Sequence, residues 1–120
     1  MRDFRELQVW QKAHRFVLDV CRHSQAFPAD ERFGLVAQLR RAAVSIASNI
    51  AEGAGRQGER ELARYLSMAA GSASESEYQI LLAKDLGYLA ADVDHGLDAQ
   101  VNEIKKMIHG FVRTLAQADG

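Results

Sequence analysis

Residues 38–56 read QLRRAAVSIASNIAEGAGR, and the fold depends on how this stretch packs. Ile46 and Ile50 lie four residues apart, and the alanines beside them continue the spacing of one apolar helix face. Serines and an asparagine occupy the other faces, and glycines follow at positions 53 and 55. Because small side chains let two helix backbones approach closely, the stretch predicts a helix in tight contact with a neighbour.

Helical spacing extends on both sides of this stretch. Pro28 suits the first turn of a helix, and Gly53 and Gly55 suit its end, so the second helix is predicted over about residues 29–53. Three further helices are predicted over about 8–25, 59–86 and 92–118. The last helix has the clearest apolar line, with steps of four and three residues: Leu97, Val101, Ile104, Ile108, Phe111, Leu115 and Ala118.

No stretch alternates apolar and polar residues as a β-strand does, and the connections between the predicted helices are short. Four helices joined by short loops form an up-down-up-down antiparallel bundle. We therefore expect an all-α four-helix bundle in which residues 1–120 form one domain.

The composition narrows the function classes. The single cysteine, Cys21, excludes an internal disulfide framework and a Cys-based zinc site. The charged start, MRDFRELQVWQ, lacks the apolar run of a signal peptide, and no segment has the length of a membrane span. We expect a cytoplasmic protein that does not contact a membrane.

The formal net charge of −1 argues against a surface that is basic all over. The charge is unevenly distributed, however. Residues 1–64 contain 11 Lys and Arg against 8 Asp and Glu, while residues 65–120 contain 4 against 8. The first half can therefore present an arginine-rich side, although charges of both signs alternate along it as on an ordinary solvated surface.

Two features resemble chemical motifs without their structural context. GAGRQG, residues 53–58, has the spacing of a dinucleotide fingerprint, but that fingerprint follows a β-strand and this one follows a predicted helix. The four histidines do not cluster, and the Glu-x-x-His pairs of a di-iron bundle are absent. We therefore expect no enzyme activity, no catalytic residue, no metal site, no cofactor and no small-molecule substrate.

The second helix carries a polar line as well as its apolar face: Gln38, Arg41, Ser45, Ser48 or Asn49, Glu52 and Arg56. The third helix has a matching cluster: Ser67, Gly71, Ser72, Ser74, Glu75 and Ser76. Two interpretations stay open, and they are compatible. The small polar side chains either hold two helices of one subunit together by hydrogen bonds, or form contacts between subunits.

Arginines form the one candidate binding site. Arg56, Arg60 and Arg64 lie four residues apart, and Arg40 and Arg41 precede the same loop. The planar guanidinium group donates two hydrogen bonds to a phosphate, so this pattern is typical of a nucleic-acid contact. The opposing interpretation is an ordinary charged surface, because acidic residues at positions 59 and 61 can neutralise the arginines.

Three long segments carry a family resemblance: FRELQVWQKAH at 4–14, FPADERFGLVAQLRRAAVSIASNIAEGAGR at 27–56 and ELARYLSMAAGSASESEYQILLAKDLGYL at 61–89. The motifs FPADERFGL, QLRRA, SNIAEG and GSASE follow one another in this order. The chain closely resembles the bacterial four-helix-bundle family first noticed as reading frames within intervening sequences of 23S ribosomal RNA genes. The resemblance covers nearly the whole chain.

The resemblance implies a cytoplasmic homopentamer without established enzyme activity. It also implies a relationship to the accessory variability determinant of diversity-generating retroelements, a strongly basic pentamer that binds nucleic acid and a reverse transcriptase. RNA or a ribonucleoprotein is therefore the expected partner, and a protein scaffold without nucleic acid is the alternative. The net charge of −1 departs from that basic relative. The family's matching positions are Arg40, Arg41, Ser45, Asn49, Glu52, Gly53, Gly71, Ser72 and Glu75.

Overall fold

The computed structural model describes the backbone of residues 1–119 and the side chains of residues 1–117. Its four long helices are α1 (Gln8–Ser24), α2 (Leu35–Gly55), α3 (Glu59–Asp85) and α4 (Ala91–Asp119). Short 3-10 helices at Phe4–Glu6 and Ala29–Glu31 precede α1 and α2. The side chain of Ala118, the last position of the predicted apolar line, lies outside the described residues.

The predicted all-α four-helix bundle is confirmed. Consecutive helices pack against each other, α2 most extensively against α3, and α1 also packs against α4 and closes the bundle. The molecule is elongated, with principal extents of 48 × 22 × 20 Å. One end therefore holds the α2–α3 loop with the start of α1, and the opposite end holds the α1–α2 and α3–α4 connections.

The core follows the predicted apolar faces. Its largest fully buried side chains come from all four helices: Phe16, Val20, Leu39, Ile46, Ile50, Leu66, Ile80, Val101, Ile104 and Ile108. Fully burying one such side chain contributes about 1.5–3 kcal/mol. The α2–α3 contact also includes the polar side chains of Ser45, Asn49 and Ser72 and a close approach at Gly53.

Helix α2 begins later than the sequence predicts, at Leu35 rather than near residue 29. After the 3-10 turn at Ala29–Glu31, Gly34 leaves the helical region, with φ −103° and ψ −108°. The Glu31 side chain accepts a hydrogen bond from the Leu35 backbone N–H at 3.2 Å and so satisfies one of the free donors of the new helix. The prediction took Pro28 as the start, but this side-chain cap fixes the start at Leu35.

Helix α2 also ends later, because Gly53 is not its stop. Gly53 lies inside the helix, which continues to Gly55, and Arg56 is the first extended residue. A Cβ atom at position 53 would lie 2.7 Å from the Cβ of Tyr65 on α3. The glycine is therefore required by close helix contact. Gly58, with φ +88°, makes the turn into α3.

Candidate nucleic-acid interface and helix-packing face

The α2–α3 loop brings four arginines to one end of the bundle. Arg56 follows the last residue of α2, and Arg60 and Arg64 lie in the first two turns of α3. Arg2 joins them because its backbone N–H donates to the carbonyl of Ala54 at 2.7 Å, which ties the amino-terminal segment to the end of α2. We call Arg2, Arg56, Arg60 and Arg64 the arginine end.

Tyr65 orders two of these arginines. Its ring is buried, and the guanidinium carbons of Arg56 and Arg64 lie 5.3 and 4.8 Å from the ring centroid. Arg56 also donates to the Tyr65 hydroxyl at 3.0 Å. These contacts restrict two long side chains that would otherwise move freely, and they leave both positive charges at the surface.

Three glutamates partly neutralise the arginine end. Arg56 donates to Glu52 at 3.2 Å and Arg2 to Glu59 at 2.9 Å. The Nε and Nη2 groups of Arg64 contact both carboxylate oxygens of Glu61, at 3.0 and 3.3 Å.

These ion pairs affect the protonation of their members. The hydrogen bond from Arg64 lowers the pKa of Glu61, while those to Glu61 and Glu52 raise the pKa of Arg64 and of Arg56. Glu61, Arg64 and Arg56 therefore stay ionised at neutral pH. The three carboxylates compete with any phosphate for the same guanidinium groups.

Arg60 differs from the other three. It is exposed, and within the described part of the chain no acceptor or carboxylate contacts its guanidinium. All five N–H donors of Arg60 are available to a ligand, whereas its neighbours must share theirs with glutamates.

The structure does not bring Arg40 and Arg41 to the arginine end. Sixteen residues separate Arg40 from Arg56, which corresponds to about 24 Å along a helix. Arg40 turns toward α1, where it donates to the Ser24 hydroxyl at 2.8 Å and to the Cys21 carbonyl at 3.2 Å. Arg41 is exposed on another side of α2, where it lines a surface pocket with Ser45 of the same helix and Glu75 of α3.

The predicted polar contact between α2 and α3 is present within the chain. The hydroxyl oxygens of Ser45 and Ser72 lie 2.9 Å apart. The Asn49 amide donates to the Ser45 carbonyl at 2.9 Å and to its hydroxyl at 3.1 Å. The three side chains remain partly exposed, so they hold the helix pair together at its surface.

The remaining packing candidates have different roles. Gly53 contacts α3 closely, whereas a Cβ at the exposed Gly71 would have no neighbour within 4 Å. Glu52 pairs with Arg56, and Glu75 accepts a hydrogen bond from the buried Gln79 amide at 3.5 Å. Sequence reasoning treated these positions as one group, and the structure divides them between helix contact, the arginine end and free surface.

Three features were not among the predicted site residues. Tyr65 was not among the candidates, because an aromatic residue on an apolar helix line reads as core. An apolar groove between α1 and α2 includes Trp10, His14 and Val44, and the Trp10 and His14 rings stack at 5.0 Å. Phe33, in the turn before α2, is 87% exposed. The sequence signal for the groove was the helical spacing of Val44, Ala47 and Ala51 on α2.

Among the residues that the structure describes, no three His, Cys, Asp or Glu side chains lie close enough to share a metal ion. In the same part of the chain, none of the helices combines the length and hydropathy needed to cross a bilayer.

Comparisons with known proteins agree with this fold. A protein of unknown function from the S23 ribosomal protein family of Bacteroides thetaiotaomicron superposes with a TM-score of 0.80 and 22% sequence identity, covering 88% of this chain and 95% of that one. A search of curated proteins finds no match. The family model described as the 23S rRNA-intervening sequence protein matches residues 5–110. This chain therefore belongs to the family of 23S rRNA-intervening sequence proteins.

Proposed function

We propose that this chain is a non-enzymatic cytoplasmic bundle protein that assembles with copies of itself, as a pentamer, and binds RNA through the arginine end. The observation that carries the proposal is the group formed by Arg2, Arg56, Arg60 and Arg64, in which two guanidiniums are ordered on Tyr65 and one has no carboxylate partner. Membership of a family named for 23S rRNA intervening sequences supports RNA as the nucleic acid.

The contact is to the RNA backbone. Guanidinium groups match phosphate oxygens through paired hydrogen bonds. Tyr65 is only 8% exposed and lies beneath two arginines, so its ring cannot serve as a platform on which bases stack. Binding should therefore depend strongly on salt and little on sequence.

One subunit alone binds weakly. Four arginines and the three glutamates that pair with them leave a local excess of one positive charge. In a ring, several arginine ends contact one RNA, and the linked weak contacts raise the overall affinity. Assembly and RNA binding are therefore coupled in this proposal.

Self-association is supported by apolar side chains that the bundle leaves at its surface. Val44, Met68, Tyr78 and Leu81, on α2 and α3, are each between 45% and 61% exposed. Three of the four lie on α3, and exposed apolar residues that form a contiguous patch are typical of an interaction site. Ser48 on α2 and Gly71 on α3 are also exposed, and such small residues would let a second copy approach closely.

The test is fluorescence anisotropy of labelled structured RNA with matched variants of equal charge. The first variant replaces Arg56, Arg60 and Arg64 with Gln. The second replaces Arg22, Lys84 and Lys106, which are exposed and lie outside the arginine end, with Gln. Both lose three positive charges, and sedimentation velocity reports the assembly of each.

The proposal expects the first variant to lose at least tenfold in affinity and the second at most threefold, with all three proteins equally assembled. Equal losses in the two variants would show a nonspecific charge effect and contradict the assigned site. A monomer in sedimentation would contradict the assembly part of the proposal.

A protein-binding scaffold without nucleic acid is the second candidate function. It is favoured by the pairing of Glu52, Glu59 and Glu61 with the arginines, which leaves little net charge for phosphate. This alternative predicts an assembled protein that does not bind RNA even at low salt.

A further inference from the structure

A cavity of about 240 Å³ lies at the end of the bundle opposite the arginine end. It is formed where α1 ends and α2 begins, and its walls include Ser24, Phe27, Pro28, Arg32, Val36 and Arg40. The volume equals that of about eight water molecules, since one water occupies about 30 Å³ in the liquid. The cavity can hold a ring or a branched chain together with one polar group.

Two arginines line this cavity without a carboxylate partner. Arg40 is half-buried, and of its five N–H donors only two meet acceptors, the Ser24 hydroxyl and the Cys21 carbonyl. The guanidinium carbon of Arg32 lies 5.4 Å from the centroid of the exposed Phe33 ring. Of the two, only Arg40 is partly buried, and among the described residues no acid forms an ion pair with either arginine.

The acidic residues closest in sequence do not neutralise the cavity. The Glu31 carboxylate accepts hydrogen bonds from the Leu35 N–H and the Tyr88 hydroxyl, at 3.2 and 3.0 Å. Asp30 is exposed and is not among the residues that line the cavity. The carbonyl end of α1 supplies only partial negative charge to Arg40. The residues that line the cavity therefore carry two positive charges and no carboxylate.

The other side of the cavity is apolar. Phe27 and Val36, which are 6% and 7% exposed, contribute a small apolar part of its lining, called the floor below, and Pro28 is a further lining residue. Water in contact with this floor gains no hydrogen bonds from it, so an apolar group would replace water favourably. A bare phosphate would use the arginines and leave the floor unfilled.

We propose that the cavity bounded by Arg32, Arg40, Phe27 and Val36 binds a carboxylate attached to a small apolar body, such as an aryl or branched alkyl acid. The carboxylate contacts the two guanidinium groups, and the body covers the apolar floor. The site is independent of RNA binding, because it lies at the other end of the molecule and uses different arginines.

The test is a titration of the ¹⁵N-labelled full-length protein by NMR, with 3-phenylpropionate as the probe. The amide of the same acid is the neutral control, and inorganic phosphate is the control without an apolar body. Arg32→Gln removes an exposed arginine that supports no helix contact, and Arg22→Gln, outside the cavity, is its matched control. Arg40→Gln is measured as well, with its fold checked by unfolding.

The acid should shift the signals of residues 24–40 with a Kd on the order of 1 mM, as expected for a ligand of this size. The amide and phosphate should bind at least fivefold more weakly than the acid. The Arg32→Gln variant should bind the acid at least fivefold more weakly than the parent, whereas Arg22→Gln should change the affinity less than twofold. A short peptide ending in phenylalanine separates the two sources of the ligand. Tighter binding than the free acid identifies a chain terminus, and weaker binding identifies a small molecule.

Acid and amide binding within twofold of each other, or equal effects of Arg32→Gln and Arg22→Gln, would overturn the proposal. So would the absence of localised shifts at 10-fold the expected Kd. Because Arg32→Gln leaves the contacts of Arg40 with α1 intact, this outcome can be read even if Arg40→Gln unfolds the protein.

Discussion

Replacing Gly53 with alanine should destabilise the bundle, although the same change inside most helices is stabilising. The new Cβ would lie 2.7 Å from the Cβ of Tyr65 and 3.2 Å from Cδ1 of Leu62. Carbon atoms in contact are ordinarily about 3.5–4.0 Å apart, so α2 and α3 would have to separate by about 1 Å. The Tyr65 Cβ is fixed to the α3 backbone and cannot turn away as a side-chain tip could.

The expected magnitude follows from two opposing effects. Overpacking of this kind costs about 1–3 kcal/mol, while exchanging glycine for alanine inside a helix contributes about 1 kcal/mol. The net loss for Gly53→Ala is therefore up to about 2 kcal/mol. Gly96, inside α4, is the matched control, because a Cβ there has no neighbour within 4 Å and Gly96→Ala should gain about 1 kcal/mol.

Urea denaturation of the two variants and the parent, at one protein concentration, measures this difference. Gly53→Ala should be about 1–3 kcal/mol less stable than Gly96→Ala. If the two alanine variants were equally stabilised, α2 and α3 would not be in the close contact described here, and the explanation for this glycine would be wrong.

Two further predictions concern helix contacts. Because Ser45 and Ser72 share a hydrogen bond, their alanine substitutions should have non-additive effects. In urea denaturation each substitution should lower the free energy of unfolding by about 0.5–1.5 kcal/mol, and the double variant should lose clearly less than the sum. Additive losses would mean that the two hydroxyls act independently. Lys105 donates to Glu77 at 2.9 Å and lowers the pKa of Glu77. This ion pair therefore stabilises the folded state fully at pH values above the pKa of Glu77 in the unfolded chain, about 4.3. The stabilisation is lost as the pH falls through the lower pKa that Glu77 has in the folded state. Parent and Glu77→Gln should differ by about 0.5–1 kcal/mol at pH 7, and a difference that persisted at pH 2 would contradict this origin.

The sequence predicted the helices where one physical cause dominated. Leu97, Val101, Ile104 and Ile108 repeat at steps of four and three, and all are buried in α4. Such a pattern follows from helix geometry alone and needs no knowledge of the neighbouring helices. The all-α class and the number of helices could therefore be predicted.

The boundaries of α2 could not be predicted, because they depend on contacts between residues. Pro28 is compatible with a helix start, but the Glu31 side chain and the backbone of Gly34 move that start to Leu35. Gly53 reads as a helix stop in the sequence. Only the position of Tyr65 on the facing helix shows that a close approach requires it.

The candidate site was predictable in part for a similar reason. Four-residue spacing predicts Arg60 and Arg64 in successive turns of one helix, and in the structure both lie on α3 with Arg56 just after α2. Arg40 and Arg41 are neighbours in sequence, but helix geometry points consecutive side chains about 100° apart. One therefore contacts α1 and the other faces solvent near α3, which only the packing of the helices determines.

The salt dependence of RNA binding tests the central claim most directly. Observed affinity should fall linearly on a plot of log K against log salt concentration, with a slope set by the number of phosphates contacted. The account predicts a steep slope that becomes clearly shallower when Arg56, Arg60 and Arg64 are replaced by Gln, and stays unchanged when Arg22, Lys84 and Lys106 are replaced. The same slope in all three proteins, or no binding at about 50 mM salt, would contradict an RNA contact at the arginine end.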